Sequence, residues 1–152
     1  MTGLTKAELI KGWKLKTITG TDIPDITAFA GKPLLILFFN LGCPGCKGRA
    51  LPFANSIVVD YGNLVNVCGI HTNFEGLDYS DEELIKAKET YYIRFPYYRD
   101  FNFNTTFINY EAGGTPHWIL TDKELNPVYS IFGSDPNNAL LRLELKIKEL
   151  LQ

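Results

Sequence analysis

Short apolar runs alternate with polar segments of helical spacing along this chain. Pro33-Leu34-Leu35-Ile36-Leu37-Phe38-Phe39 is apolar at every position. That pattern predicts a strand over 33–40 buried on both faces. Leu64 to His71 is rich in β-branched residues and bounded by Gly62-Asn63, which predicts a second strand. Pro96 to Arg99 predicts a short third. His117–Thr121 and Pro127–Gly133 enclose Asp122-Lys123-Glu124 and predict a hairpin. Between these runs lie helix signals. Thr5-Lys6-Ala7-Glu8 is a capping box for a short helix ending near Gly12. Residues 13–19 are expected as an edge strand, and Ile23 to Lys32 as a connecting loop with Pro24 and Gly31. A helix is predicted from Pro44 to about Tyr61, kinked by Pro52 in its interior. Ser80-Asp81-Glu82-Glu83 is a second capping box, opening a helix to about Ile93. Residues 100–114 are rich in Asn and Phe and are expected to hold one helical turn. Asp135-Pro136 is an N-cap followed by a favoured first residue, and Leu140, Leu143, Ile147 and Leu150 mark one face of a closing helix.

Strands that alternate with helices predict an α/β fold with parallel pairing in the middle of a mixed sheet; the late hairpin adds antiparallel strands. At 152 residues, the expectation is one domain over 1–152. A net charge of -2, without a Lys/Arg cluster, gives no reason to expect nucleic acid as a partner. The longest apolar run has seven residues, against the ~20 of a membrane helix, so no membrane partner is expected. Met1 to Gly20 lacks an apolar core of signal-peptide length, and the expected compartment is the cytoplasm.

Candidate chemistry centres on Cys43-Pro44-Gly45-Cys46, directly after the apolar strand. The thiolate is the reactive form of cysteine, and a helix N-terminus favours it through free N–H groups and partial positive charge. Pro44 fits the first helical position, which needs no donor. Cys46 lies one turn further in, within reach of a disulfide formed at Cys43. Those residues point to thiol–disulfide exchange. A metal reading has one support: Cys68 and His71 add a C-x2-H to the C-x2-C. Strand alternation places Cys68 and His71 on opposite sides, so Cys68 is read as a buried small hydrophobe and His71 as a strand-end residue. His117 is a candidate neighbour of the thiols. Phe101, Phe103, Phe107 and Tyr110 are candidates for the border of a substrate groove, and Arg49 for stabilising a thiolate. The aromatic stretch from Tyr91 to Tyr98 reads as core and half-exposed packing.

The strand into Cys43-Pro44-Gly45-Cys46, the proline-bearing helix after it, the Gly113-Gly114-Thr115-Pro116 turn and the hairpin beyond resemble the thioredoxin superfamily over about residues 20–150. The nearest branch is the redoxin or TlpA-like thiol–disulfide oxidoreductases; Gly69-Ile70-His71-Thr72-Asn73-Phe74-Glu75 looks like the strand end and insert of some members. The resemblance implies a thioredoxin-like fold, a central mixed sheet flanked by helices. It implies a catalytic set of Cys43, Cys46 and Pro116, with Thr115, Pro44 and Gly45 against the substrate. It also implies a cis Thr115-Pro116 peptide beside the cysteine pair, whose backbone edge at Thr115 pairs with an extended substrate. Three departures stand out. Gly42 replaces the Trp often found before the first cysteine, and Pro52 comes nine residues after Cys43 rather than eight. Leu37 and Arg49 stand where many members carry a buried carboxylate that moves protons.

The expected function is therefore thiol–disulfide exchange on protein or small-molecule disulfides. A thiol reductase recycles the pair, and no cofactor or metal is called for. Cell redox homeostasis and antioxidant roles would follow. A peroxiredoxin-like thiol peroxidase is an alternative, but it wants Thr or Ser where Asn40 stands. A non-enzymatic metal-binding module using Cys43, Cys46 and His71 is another.

Overall fold

A computed structural model of the chain describes residues 3–20, 22–73 and 78–152. Its first half comprises α1 (Lys6–Gly12), β1 (Leu15–Lys16), a 3-10 turn (Ile26–Phe29), β2 (Leu34–Phe39), α2 (Leu51–Tyr61) and β3 (Asn66–His71). There follow α3 (Asp81–Thr90), β4 (Tyr97–Asp100), α4 (Thr105–Asn109), β5 (His117–Thr121), β6 (Pro127–Phe132) and α5 (Leu141–Leu150). Phe74 and Glu75, at the end of the insert, lie outside the described residues.

The strands form one mixed sheet in the order β1-β4-β3-β2-β5-β6. β2 pairs parallel with β3, and β3 with β4; β1, β5 and β6 join antiparallel. All six residues of β2 are buried because β2 lies between β3 and β5 with helices on both faces. Leu35, Leu37 and Phe39 pack with Leu51, Ala54 and Ile57 of α2, Leu84 of α3 and Leu143 and Ile147 of α5. Leu34, Ile36 and Phe38 face the other way, toward Leu9, Phe107 and Tyr110. Period-two alternation thus feeds two cores from one strand. Truncating any of these leucines to alanine costs about 2–5 kcal/mol.

Both capping boxes form: Thr5 accepts from the Glu8 N–H and Ser80 from the Glu83 N–H, and each glutamate bonds back to its cap. Three elements differ from expectation. β1 has two residues rather than seven. The Lys14 N–H goes to the Thr106 side chain instead of a strand, bonding Oγ1 at 3.0 Å. α3 stops at Thr90, because Tyr92 turns left-handed (φ 54°) and sends the Ile93 N–H to the Lys88 carbonyl. Pro52 does not interrupt a regular helix. Helical backbone starts at Pro44 and runs through one wide turn at Cys46–Ala50, where the Leu51 N–H reaches back five residues to the Cys46 carbonyl. Pro52 then stands at the opening of α2, so the register shift absorbs its missing donor.

Candidate active site

β2 delivers the chain from the sheet centre to a tight loop, Asn40 to Cys43. The Cys43 N–H bonds the Asn40 carbonyl at 3.0 Å, and the Cys43 carbonyl accepts from the Cys46 and Lys47 N–H groups at 3.1 and 3.2 Å. Cys43 therefore caps the helix that Pro44 opens. Its sulfur accepts the Cys46 N–H at 3.3 Å and its thiol donates to the Thr115 carbonyl at 3.4 Å. Cys43 is half-buried, whereas Cys46 is fully buried, and both are free thiols. Burial pushes the Cys46 thiol well above the ordinary cysteine range, reinforced by Cys43; the Asn40 backbone and the Thr115 hydroxyl act against it. Cys68 is fully buried and its thiol is likewise pushed up by burial.

The Thr115-Pro116 peptide is cis. A methyl group on Gly45 would stand 3.7 Å from Pro116 Cδ and only 2.8 Å from Ser134 Oγ. Glycine at this place lets the cysteine turn, the proline turn and the start of the last helical segment close on one another. Cys43, Cys46, Gly45, Thr115 and Pro116 thus meet at one site, with Pro44 exposed beside them.

Two buried polar side chains hold the loop. Asn40 donates to the Thr72 carbonyl at 2.9 Å and to Asn73 Oδ1 at 3.0 Å, and its own Oδ1 accepts the Gly42 N–H at 2.8 Å. His71 accepts the Leu41 N–H on Nε2 at 3.1 Å and lies edge-on to Phe39 and Tyr79. Burial, helped by the charge of Arg99, holds its pKa down to about 4, so the ring is neutral. These residues escape a reading based on motifs because each acts across β2 and β3. The one available signal is parity: His71 pairs in register with Phe39, at the mouth of the loop.

Other candidates go elsewhere. Cys68 packs with Leu34 and Ile36, on the face of the sheet away from the core that holds Cys46. Among the described residues no three His, Cys, Asp or Glu side chains gather as metal ligands. His117 is buried, and Nδ1 accepts the Gly113 N–H at 3.2 Å while Nε2 bonds Ser130 Oγ at 2.8 Å. It braces the proline turn rather than facing the thiols; burial lowers its pKa to about 4. Phe107 and Tyr110 are core residues edge-on to Phe38, not groove residues, while Phe101 and Phe103 are exposed. Arg49 is exposed and its charge acts on Asp135, whose carboxyl is held low chiefly by the Asn138 and Asn137 N–H groups. Leu37 is fully buried in the core beneath the pair. No described helix is long and apolar enough to cross a membrane.

The fold recurs in solved structures. A thiol-disulfide isomerase from Corynebacterium glutamicum superposes with a TM-score of 0.79 at 25% identity, over 92% of this chain and 95% of that one. A thioredoxin-like superfamily protein gives 0.77 at 27%, again over 92% and 95%. The chain belongs to the thioredoxin superfamily. A secreted Mycobacterium tuberculosis disulfide oxidoreductase, homologous to Escherichia coli DsbE, shares the fold at a TM-score of 0.70 and 17% identity, over 94% of this chain and 98% of that one. Such neighbours accord with the redoxin/TlpA-like branch of the superfamily and support an oxidoreductase role. No protein-family model matches the sequence, and no curated protein does.

Proposed function

We propose that this thioredoxin-superfamily protein is a dithiol–disulfide oxidoreductase in which Cys43 attacks and Cys46 resolves. One observation carries the reading: a half-exposed Cys43 sulfur accepts the Cys46 N–H at a helix start while the Cys46 thiol is buried behind it. The Cys43 thiolate attacks one sulfur of a substrate disulfide. That S–S bond breaks, a Cys43–substrate bond forms, and the departing substrate thiolate takes up a proton. Cys46, losing its proton, then attacks Cys43 Sγ. The Cys43–Cys46 disulfide forms and the second substrate thiolate leaves and is protonated. Two electrons pass to the substrate. A thiol reductase returns the pair to the dithiol, and the chain itself needs no resident cofactor.

Thr115 and Pro116, with Gly45 and Pro44 opposite, form the substrate side of the site. The Thr115 carbonyl already accepts the Cys43 thiol, so an extended substrate pairing with the Thr115 backbone would bring its disulfide to that sulfur. In a reducing compartment such as the cytoplasm the reaction runs toward substrate reduction. The test is a pair of variants assayed on insulin. Cys43→Ser should abolish reduction, and Cys46→Ser should accumulate mixed disulfides through Cys43. Loss of both activities without mixed disulfides would overturn the assignment of roles.

A further inference from the structure

Residue 42 precedes the attacking cysteine and has no side chain, yet its place is not open. A methyl group on Gly42 would stand 3.0 Å from the Tyr79 hydroxyl oxygen. Tyr79 comes from a different part of the chain, just before α3. Its ring and its backbone are both held. Its ring lies edge-on to buried His71, at 5.7 Å between centroids. Its N–H bonds Asp78 Oδ1 at 2.9 Å and its carbonyl accepts from Arg99 Nη2 at 2.7 Å. Arg99 also pairs with Asp78 and Asp81. Asp78 accepts from Asn73, which in turn accepts from Asn40, so the Tyr79 segment and the Cys43 loop belong to one hydrogen-bonded frame. Tyr79 packs against the same core as Cys43. Its hydroxyl makes no hydrogen bond to a described residue, and the side chain is only partly buried.

A phenol held this firmly, with its donor unspent and its tip one residue from the attacking sulfur, is arranged to bind something that arrives there. We propose that Tyr79 is a specificity-determining residue that donates a hydrogen bond to a backbone carbonyl of a peptide disulfide bound at Cys43. The inference rests on the oxidoreductase reading and adds to it a residue that favours disulfides within polypeptide over small dialkyl disulfides, which carry no amide. Thr115 offers backbone on one side of the sulfur, and the Tyr79 hydroxyl offers a donor on the Gly42 side.

The experiment compares kcat/KM for a peptide with an intramolecular disulfide against kcat/KM for hydroxyethyl disulfide, in wild type, Tyr79→Phe and Tyr79→Ala. Tyr79→Phe keeps the ring on His71 and removes only the hydroxyl, so a purely structural role predicts no change in the ratio. The peptide-to-small-disulfide ratio should fall about fivefold in Tyr79→Phe, the effect of one hydrogen bond, and at least as far in Tyr79→Ala. The fall should lie mainly in KM for the peptide. A ratio within twofold of wild type in Tyr79→Phe overturns the inference, as does an equal loss on both substrates. Wild-type protein that reduces neither substrate overturns the oxidoreductase reading and this inference with it. Reduction of both with an unchanged ratio overturns this inference alone.

Discussion

The backbone N–H of Leu41 donates to Nε2 of His71 at 3.1 Å, so a buried imidazole serves as an acceptor for the loop that presents Cys43. That bond requires the neutral ring, since a protonated Nε2 has no lone pair to offer. Burial lowers the His71 pKa most; among the described residues the charge of Arg99 lowers it further and Asp78 opposes, and it falls to about 4. His117 is depressed to about 4 by burial as well. A depressed histidine stabilises the fold above its unfolded value near 6.5 and loses that contribution as pH falls through its folded value. The unfolding free energy from urea titration should therefore drop between about pH 6.5 and 4, by about 1.4 kcal/mol per pH unit for each proton taken up on unfolding. His71→Gln should make the slope shallower. A flat profile over that window would mean that both rings are protonated in the fold.

Cysteine accessibility follows the same burial logic. Cys43 is the half-buried thiol, while Cys46 and Cys68 are fully buried. Iodoacetamide on the reduced protein at neutral pH should modify Cys43 at least about tenfold faster than either of the others. Peptide mapping of the modified protein reads the order directly. First labelling at Cys46 would place the nucleophile at the wrong cysteine.

The resolving step has its own pH signature. Burial raises the Cys46 thiol, and among the described residues the groups acting on it are Cys43, the Asn40 backbone and the Thr115 hydroxyl, none of them a carboxylate. The reactive thiolate is therefore scarce at neutral pH and grows in proportion to hydroxide. Release of thionitrobenzoate from its mixed disulfide with Cys43 should accelerate by about tenfold per pH unit over roughly pH 6 to 8. A plateau within that range would reveal a proton acceptor at the site.

Much of this fold is written locally. The capping boxes at Thr5 and Ser80, the continuous apolar run of β2 and the Asp135 cap each contain their own signal within a few residues. The cysteine pair, the proline turn and their convergence are legible through resemblance to a family whose topology brings them together. What escapes is decided across the sheet. α4 has no side-chain cap at Asn104; its opening N–H groups go to Asp100, at the end of a strand. The reach of Asn40 to Thr72, of His71 to Leu41 and of Tyr79 to Gly42 each depends on the β2–β3 register or on a loop beyond it. No window along the chain contains both partners.

Asp100 illustrates the energetics of such contacts. It is buried, and its carboxylate accepts the Thr106 N–H at 2.7 Å, the Phe107 N–H at 3.0 Å and the Thr72 hydroxyl at 3.0 Å. Burial raises its pKa, and these same bonds oppose the rise. Asp100→Ala leaves three donors without that acceptor and should cost about 3 kcal/mol or more in urea unfolding, with a smaller loss for Asp100→Asn. A loss below about 1 kcal/mol would show that water replaces the carboxylate.

Asn40 provides a test between exchange and peroxide chemistry. A thiol peroxidase wants a hydroxyl at this position to orient the peroxide, and the side chain here is an amide. Its two donors are spent on the Thr72 carbonyl and Asn73, and its oxygen already accepts the Gly42 N–H, so no donor is left for a peroxide at Cys43. Peroxide consumption should be slow in wild type and in Cys46→Ser alike, even with excess thiol present. Asn40→Thr should not rescue it. A threonine cannot make all three bonds, so the variant should lose about 1–3 kcal/mol of stability while its loop loosens. The peroxide assay and a urea melt on the same three proteins check both parts. Rapid peroxide turnover by Cys46→Ser, with sulfenic acid trapped at Cys43, would make the protein a peroxidase and leave Cys46 without its resolving role.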